Sequence, residues 1–499
     1  MKDYVRFDGW VLESGEIIFS DINPISGMEQ NSFFFQQCAQ IGMSHRDALR
    51  YIIKTVADKN GIDFNHIQSN DQTTKERMPV LFGGNTAERQ VSLMSGTNVW
   101  LKLRDSEKYE PQPYFLDAKK NVWELPYEIA LYHTTEEIES LCANAPKRED
   151  QLKEYRNEIR EKLDLNNSCS SISSYLPKKH SLDQFIDSTS KLFIALHGGF
   201  GEGGELQSLL RERDVAYTAS GPNGSRIGMD KVKTGEAIKD LESQGIHSAK
   251  KQSINIKDSN HNYDELWSSL TEDLNAERAG GTIIVKPQDD GCSAGIARLG
   301  SAEDLKNYTE CVLSGKPRIP AGTLSLEKEA IELSLDIPSR LLFEEFIVTD
   351  DISIKGNDLV WENKTGLVEV TVGVIGKKGE MKAMSPSITV ASGNILSLEE
   401  KFQGGTGVNI TPPPAEYVPT EVTEKAKERI ALVANTIGLR GFARIDAFLD
   451  IKTGEVIIIE ANTIPGMTPS TVIYHQALDE PTPMYPQDFL EAVLEFSDR

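Results

Sequence analysis

Four polar side chains near the carboxyl end of the chain have the types and spacing of a metal site. Arg444 and Asp446 stand two residues apart in RID, and Glu460 and Asn462 stand two residues apart in EAN. Side chains at positions i and i+2 of a strand share one face, and the turn-like DIKTGEV between the motifs predicts an antiparallel hairpin. Three oxygen donors and an arginine on one surface suit magnesium that bridges nucleotide phosphates. A solvated strand face is the alternative; it is favoured for Asp446 alone, but not for all four residues followed by TIPGMTPS.

Two lysines lie where they could contact phosphate groups. Lys286 is in the apolar segment IIVKP, just before a loop containing Gly291, Ser293 and Gly295, whose backbone N–H groups could cradle an anion. Lys231 begins the amphipathic helical pattern of MDKVKTGEAIKDLESQGI. The first loop is not a Walker A sequence. Taken alone, Lys286 is more often a surface lysine before a turn, and an ordinary first-turn lysine explains Lys231 equally well.

Acidic residues at strand positions could contact the rest of a nucleotide. In LLFEEFI, Glu344 or Glu345 could accept a hydrogen bond from an adenine amino group, and Glu369 in LVEVTVGVIG could hold ribose hydroxyls. Exposed acids at strand ends are common, so neither interpretation stands without the other motifs.

Two glycine-rich segments place further polar residues at predicted loop–helix junctions. GGNTAERQVS contains Glu88, and HGGFGEGGELQ contains His197 and Glu202. The glycines permit positive φ angles and a close approach of a ligand to the backbone. A helix cap or a turn is the usual role of a single residue at such a junction.

Length, charge and composition limit the number of domains, the class of partner and the expected compartment. A chain of 499 residues is long enough for several domains. Its formal charge of −23 argues against a nucleic-acid or anionic-membrane partner, although a basic pocket for ATP could still lie within it. Five scattered cysteines without CxxC spacing fit a reducing compartment. The sequence shows no membrane-span run, signal peptide or transit segment, so a cytoplasmic location is expected.

The order of apolar and helical patterns predicts an α/β protein. MPVLFGG is a strand that enters a glycine turn, a helix is predicted over residues 87–103, and LFIALHGG is a second buried strand. Residues 124–165 are charge-rich and helical, with opposite charges four residues apart. Short strands dominate from Gly281 until a helix that begins near Thr420.

The N-terminus repeats the C-terminal hairpin. Residues 4–32 parallel residues 442–470 with a single-residue difference in the loop. The repeated residues are Arg6, Asp8, Gly15, Glu16, Asn23, Gly27 and Met28, which match Arg444, Asp446, Gly454, Glu455, Asn462, Gly466 and Met467. Both copies continue into helical patterns, at residues 44–56 and 486–496. The N-terminal copy lacks phosphate lysines of its own, so we predict that it is not a working site and that deleting residues 1–70 leaves activity.

From Pro79 to the C-terminus, these motifs occur in the order of, and resemble, the D-alanine–D-alanine ligases of the ATP-grasp superfamily. The duplicated tail is similar to plant homologues in which two ligase units are fused. The resemblance implies an α/β (α+β) chain: an ATP-grasp fold preceded by a Rossmann-like α/β domain, plus a partial duplicate of the ATP-grasp C-terminal hairpin and helix. The expected boundaries are 1–70 for the partial repeat, 77–222 for the N-terminal α/β domain with a helical insertion at about 124–185, 223–345 for the central subdomain and 346–499 for the C-terminal subdomain.

The resemblance also implies a role for each matching residue. Those that would contact ATP are Lys231, Lys286 and Lys401 at the phosphates, Glu344 at adenine and Glu369 at ribose. Those that would hold two Mg²⁺ ions, or Mn²⁺ in their place, are Asp446, Glu460 and Asn462. Those that would act on the substrates or the tetrahedral intermediate are Arg444, the Gly466 N–H, Glu88 and His197. Those that match the substrate site or the loop over it are Cys292, Ser293, Phe402 and Thr471.

Three positions depart from the family pattern, one of which, GEGG in place of GEDG at Glu202–Gly204, is interpreted as a tolerated turn change. Cys292 stands where the family usually has serine, and Phe402 stands where it often has tyrosine. Those side chains and the acid that matches Glu88 form a hydrogen-bonded network in the family, which a thiol and a phenyl ring cannot fully rebuild. Phenylalanine at this position occurs in relatives that accept D-lactate, so the resemblance predicts a relaxed choice of second substrate.

The implied activity is ATP-dependent joining of two D-alanine molecules, as in peptidoglycan and cell-wall synthesis. The expected partners are D-alanine, ATP and Mg²⁺, with a second copy of the chain in a homodimer and no nucleic acid or membrane. Two alternatives remain open: a degenerate nucleotide-binding subunit with a regulatory or scaffolding role, and another carboxylate–amine ligase. A full-length parent with a transit peptide would be expected in plastids.

Overall fold

A computed structural model describes residues 4–63, 75–165, 174–256, 262–288, 295–333, 337–355, 358–390 and 408–497. The chain divides into two compact units. The N-terminal unit comprises residues 1–84 and 96–188, and the C-terminal unit comprises residues 85–95 and 189–499. Cys292, Ser293, Lys401 and Phe402 lie outside the described residues.

The N-terminal unit contains a mixed sheet in the order β6-β5-β4-β3, in which β3 runs parallel to β4 and the other neighbours are antiparallel. Its strands are β1 (Arg6–Val11), β2 (Ile17–Asn23), β3 (Glu76–Gly83), β4 (Tyr109–Leu116), β5 (Asn121–Glu124) and β6 (Lys178–Ser181). Its helices are α1 (Phe33–Gln40), α2 (His45–Lys59), α4 (Thr135–Lys162) and α5 (Leu182–Asp187), while α3 (Arg89–Leu103) begins in the C-terminal unit. The predicted strand, glycine turn and helix at residues 79–103 are therefore confirmed.

The charge-rich segment after β5 forms a long helix as predicted, although α4 begins at Thr135 and not near residue 124. Thr134 starts it with a capping box, since its hydroxyl accepts a hydrogen bond from the Glu137 N–H and the Glu137 carboxylate accepts from the Thr134 N–H. The Lys162–Glu158 pair is one of the expected contacts four residues apart, at 2.6 Å.

Helices α1 and α2 form part of the apolar core of the N-terminal unit. Phe35, Met43 and Ala48 are buried in a cluster with Leu165, which follows α4. The Gln36 side chain also donates a hydrogen bond to the Leu131 carbonyl, at 3.1 Å. These two helices therefore stabilise the unit.

The C-terminal unit contains two sheets, of order β10-β15-β11-β12 and β21-β20-β18-β22-β23-β9. The first has β10 (Lys251–Asn255), β11 (Ile283–Pro287), β12 (Ala297–Leu299) and β15 (Arg340–Glu345). The second has β9 (Ile246–Ser248), β18 (Leu367–Gly376), β20 (Ser387–Val390), β21 (Val408–Ile410), β22 (Gly441–Asp450) and β23 (Val456–Asn462), with β19 (Lys382–Ala383) paired to β18. The remaining strands are β7 (Lys191–Ile194) parallel to β8 (Ala216–Tyr217), and the pairs β13 (Arg318–Ile319) with β14 (Ile331–Glu332) and β16 (Asp351–Lys355) with β17 (Asp358–Glu362).

Helices cover these sheets. They are α6 (Gly199–Glu202), α7 (Glu205–Glu212), α8 (Pro222–Met229), α9 (Lys231–Ile238), α10 (Tyr263–Asp273), α11 (Ala302–Leu313), α12 (Thr420–Thr436), α13 (Val472–Leu478) and α14 (Pro486–Glu495). The predicted helix near Thr420 is confirmed. Short strands dominate between Gly281 and Thr420, as predicted, but α11 also lies there, capped by the Ser301 hydroxyl that accepts from the Asp304 N–H.

The hairpins β1–β2 and β22–β23 share their pairing. Arg6 lies opposite Asn23 and Asp8 opposite Asp21, as Arg444 lies opposite Asn462 and Asp446 opposite Glu460. Each hairpin has a bulge directly after the aspartate. Their surroundings differ, because β22 and β23 are flanked by β18 and β9, whereas β1 and β2 form a two-stranded sheet. The duplication itself stays a prediction that this likeness supports.

Burial reflects that difference. On β22 and β23, Leu449 and Val456 are fully buried. The matching Val11 and Ile17 on β1 and β2 are 74% and 56% exposed. The N-terminal hairpin therefore contributes little to the core.

Candidate active site

The β22–β23 hairpin brings its polar side chains onto one face, as the spacing predicts. Arg444 donates to both carboxylate oxygens of Asp446, from Nε to Oδ1 at 3.1 Å and from Nη2 to Oδ2 at 3.0 Å. Asn462 Nδ2 donates to Asp446 Oδ2 at 3.2 Å, and the Thr371 hydroxyl on β18 donates to Oδ1. Burial and the Asp446 charge act in opposite directions on Arg444, and the charge prevails, so the Arg444 pKa is raised. The guanidinium is therefore held as a fixed cation beside the carboxylates.

Lys231 reaches the same hairpin from the first turn of α9. Asp230 caps this helix by accepting from the Val232 and Lys233 N–H groups. The Lys231 ammonium lies 2.9 Å from the Glu460 carboxylate, with both side chains largely buried. Burial lowers the pKa of Lys231, but Glu460 outweighs it, and the pKa is raised overall. The first predicted phosphate lysine thus contacts a predicted metal ligand.

Lys286 pairs with Glu344 on the neighbouring strand of the four-stranded sheet. The ammonium contacts Glu344 Oε2, and each side chain is 10% exposed. Burial alone would raise the pKa of Glu344, but Lys286 and Lys251 outweigh it and hold the pKa below its usual value. The predicted adenine acid is therefore ionised and bound to lysine.

Sequence reasoning missed Lys251, which lies on β10. Its ammonium is 3.5 Å from Glu344 Oε1 and donates to the Lys231 carbonyl at 3.1 Å. In AKKQSIN it looks like one of two ordinary strand lysines. Only the pairing of β10 with β15, which places Lys251 opposite Glu344, distinguishes it.

His197 anchors the loop that follows β23. Its Nδ1 lies 2.8 Å from the Ile464 carbonyl and its Nε2 lies 3.0 Å from Ser95 Oγ, which accepts from the Met467 N–H at 3.0 Å. A carbonyl only accepts, so Nδ1 carries the proton and Nε2 accepts from the Ser95 hydroxyl. Both ring nitrogens are thus engaged in positioning this loop. Ser95, which sequence reasoning also missed, lies in helical sequence without a motif.

Glu202 holds the same loop from a second side. One carboxylate oxygen accepts from the Ile464 N–H at 2.9 Å and from the Thr463 hydroxyl at 3.2 Å, and the other accepts from the Gly198 N–H at 3.1 Å. Burial raises the pKa of Glu202. The carboxylate thereby fixes the backbone two residues before Gly466.

Gly466 itself is buried within this loop, and its carbonyl accepts from the Thr471 hydroxyl at 2.7 Å. Thr471 therefore shapes the loop, as well as preceding α13.

Glu88 and Glu369 are the two remaining predicted site residues within the described ranges. Glu88 is half-buried, and a methyl group added at Gly198 would come within 2.8 Å of Glu88 Oε2. The Glu88 charge also raises the pKa of Lys231. Glu369 is an exposed residue of β18, on the face that carries Thr371. Their predicted contacts with ammonium and ribose stay predictions.

The burial of His197 predicts a specific loss of stability in acid. Burial and the nearby Arg444 charge lower the pKa of His197 to about 4, against an ordinary 6.5, although the Ile464 carbonyl opposes them. Between pH 6.5 and 4 the unfolded chain therefore binds one more proton at His197, so the free energy of unfolding falls as pH falls. We expect His197 to remove about 2 kcal/mol between pH 7 and pH 5. Urea unfolding at both pH values would measure the loss, and a His197→Asn variant with the same pH dependence as the unchanged protein would contradict the assignment.

The hairpin donors suit a hard cation. Asp446, Glu460 and Asn462 supply two carboxylates and an amide on one surface, all oxygen chemistry that Mg²⁺ accepts. Within the described ranges, no group of three His, Cys, Asp or Glu residues could hold a metal ion. The predicted set therefore depends on the Asn462 amide.

Among the residues that the structure describes, no helix combines the length and apolar character needed to cross a bilayer.

Comparison with known proteins identifies the family. A model described as the D-ala D-ala ligase N-terminus matches residues 77–220, and one described as the D-ala D-ala ligase C-terminus matches residues 328–492. Together these matches span more than half of the chain.

Several bacterial D-alanine–D-alanine ligases are similar in sequence. The chain is 29% identical to that of Carboxydothermus hydrogenoformans, over 56% of this chain and 73% of that protein. It is 26% identical to that of Chlorobaculum tepidum, over 79% of this chain and 90% of that protein. It is also 26% identical to that of Halothermothrix orenii, over 85% of this chain and 98% of that protein.

Solved structures share the fold. The D-alanine–D-alanine ligase of Coxiella burnetii superposes with a TM-score of 0.54 at 19% identity, over 85% of this chain and 95% of that one. D-alanyl-alanine synthetase A of Vibrio cholerae superposes with a TM-score of 0.53 at 16% identity, over 85% and 98%. The predicted ATP-grasp fold is therefore confirmed, and the chain belongs to the D-alanine–D-alanine ligase family.

Proposed function

We propose that this protein joins two D-alanine molecules at the expense of ATP and releases ADP and phosphate. Two ion pairs carry the proposal: Lys231 contacts Glu460, and Lys286 contacts Glu344. These contacts join predicted phosphate lysines to a predicted metal ligand and to the predicted adenine acid. Family membership across both halves of the chain supports the same activity.

The two lysine–carboxylate pairs suggest how the site accepts ATP. Lys231 and Lys286 are paired with Glu460 and Glu344, and the attraction within each pair offsets the desolvation penalty of burying its charges. A triphosphate can replace the carboxylates as the partner of the lysines, because phosphate is also an anionic acceptor. Glu460 then becomes available as a ligand, and Glu344 as an acceptor for adenine.

The chemistry would run in two steps. The carboxylate of the first D-alanine attacks the γ-phosphorus of ATP, which gives an acyl phosphate and ADP. The neutral amine of the second D-alanine then attacks the acyl carbon, and after loss of a proton from nitrogen and of phosphate from carbon the dipeptide forms. Arg444 would stabilise the oxyanion of the tetrahedral intermediate together with the Gly466 N–H, which the loop anchored by His197 and Glu202 positions.

Asp446, Glu460 and Asn462 are the residues that would hold Mg²⁺. When bound, the ion would offset negative charge on the transferring phosphoryl group. Two ions, or Mn²⁺ in their place, are the finer expectation from the family resemblance. A homodimer, the domain boundaries and a cytoplasmic or plastid location likewise stay predictions.

Phosphate release from Mg-ATP tests the activity. We expect release with D-alanine, and little with L-alanine or without an amino acid. Release with another amine or carboxylate instead would favour a different ligase, and nucleotide binding without turnover would favour a regulatory subunit. The retention of Lys231, Lys286 and Asp446 argues against the latter.

Analysis of the products of the same reaction, dipeptide against ester, tests the choice of second substrate. We propose that Cys292 and Phe402 relax it, so D-lactate should compete with D-alanine, most strongly at low pH, where the amine is protonated. Strict use of D-alanine across pH would overturn this part of the proposal and leave the ligase activity intact.

A further inference from the structure

Glu344 is enclosed by lysines from two strands. It lies on β15, between β10 and β11. Lys251 stands directly opposite it on β10, and Lys286 stands opposite Leu342, two residues along the same face of β15. Both ammonium groups contact the Glu344 carboxylate, one at each oxygen.

All three side chains are nearly buried. Lys251 is 9% exposed, and Glu344 and Lys286 are 10% exposed. A buried carboxylate without a cation or donor would take up a proton. A single carboxylate charge here has two ammonium partners, so the presence of the second lysine needs an explanation.

The two lysines differ in what else holds them. The Lys251 ammonium also donates to the Lys231 carbonyl at 3.1 Å, at the start of α9. Lys286 is the penultimate residue of β11 and, under the proposed function, turns to the phosphates when ATP binds. Glu344 would then keep Lys251 as its cation on β10.

The protonation state of Glu344 determines which nucleotide base it can bind. An ionised carboxylate only accepts hydrogen bonds, which suits the amino group of adenine, whereas the keto oxygen of guanine needs a donor such as a protonated carboxyl group. We infer that Lys251 is a positioning residue for nucleotide specificity, which keeps Glu344 as an acceptor while ATP is bound and so selects adenine over guanine. This inference rests on the proposed contact between Glu344 and adenine.

Kinetics of a Lys251→Met variant with ATP and GTP test the inference. We expect KM for ATP to rise about tenfold, as for the loss of one hydrogen bond to a charged group. We expect kcat to change less than twofold and the preference for ATP over GTP in kcat/KM to fall about tenfold. Lys251→Arg should restore part of the preference, because its guanidinium is also a fixed donor.

Lys250 provides a matched control. It is the exposed neighbour on the chain, and its ammonium lies 3.0 Å from the Asn275 side chain. Lys250→Met should leave both nucleotides unaffected. Equal losses with ATP and GTP in Lys251→Met would make Lys251 a phosphate contact and overturn the inference, as would a fall in kcat alone. If Lys251→Met does not fold, Lys251→Gln decides by the same ratio.

Failure of the proposed function can be told apart from failure of this inference. If the unchanged protein releases no phosphate with any amino acid, the ligase proposal fails. The dissociation constants of ATP and GTP, measured by calorimetry on the unchanged protein and on Lys251→Met, then decide the role of Lys251. An unchanged ratio of the two constants would overturn it.

Discussion

The Arg444→Met variant should have a kcat for phosphate release from ATP and D-alanine about 10²- to 10³-fold below that of the unchanged protein. This is the loss typical of removing one oxyanion donor. KM for either substrate should change much less, because the oxyanion exists only in the transition state and the intermediate. The effect should be large because Arg444 is a buried cation fixed by two hydrogen bonds to Asp446. A coupled phosphate-release assay under saturating substrates measures it.

The repeat supplies a matched control for Arg444. Arg6 makes the same two contacts with Asp8, from Nε to Oδ1 at 3.0 Å and from Nη2 to Oδ2 at 3.0 Å, but this pair is about 40% exposed. Arg6→Met should leave kcat unchanged, because β1 and β2 form a two-stranded sheet within the described residues, whereas β22 and β23 are flanked by β18 and β9. Comparable losses in both variants would contradict the assignment of the working site to the second copy.

Local sequence was enough to predict the hairpin but not its bulge. The two-residue spacing in RID and EAN and the turn between them depend on strand geometry alone, so the common face followed directly. The bulge after Asp446 depends on how two particular strands fit each other, and no local pattern encodes it. Helix α11 is a different case, since Ser301 and Asp304 are a readable capping signal that the strand interpretation overlooked.

The ion pairs of the site could not be predicted from the sequence. Lys231 and Glu460 are far apart in the chain, and they meet because α9 packs against the sheet that contains β23. Lys251 and Ser95 likewise acquire their partners from tertiary packing. Residue types were enough to identify candidate ligands. That the lysines pair with the carboxylates predicted to bind magnesium and adenine could be seen only in the folded structure.

The sequence predicts that residues 1–70 can be deleted together without loss of activity. Their packing separates an exposed hairpin from two helices that stabilise the N-terminal unit. Residues 1–23 contain the exposed hairpin, whereas α1 and the turn between α1 and α2 supply Phe35 and Met43 to a buried cluster. Deleting residues 1–23 should leave kcat unchanged and shift the melting temperature of the protein by no more than about 2 °C, the range of surface changes.

Deleting residues 1–70 should instead destabilise the N-terminal unit. Removing two buried side chains of this size costs roughly 3–6 kcal/mol, which corresponds to a fall of about 10 °C in the melting temperature. The Arg156 guanidinium, only 6% exposed, also loses the Gln40 carbonyl to which it donates at 2.7 Å. Calorimetry of both truncations, with activity assayed well below either transition, separates the effects. Equal melting temperatures would mean that α1 and α2 add nothing to the unit, and a loss of activity on removing the hairpin alone would give the first copy a function of its own.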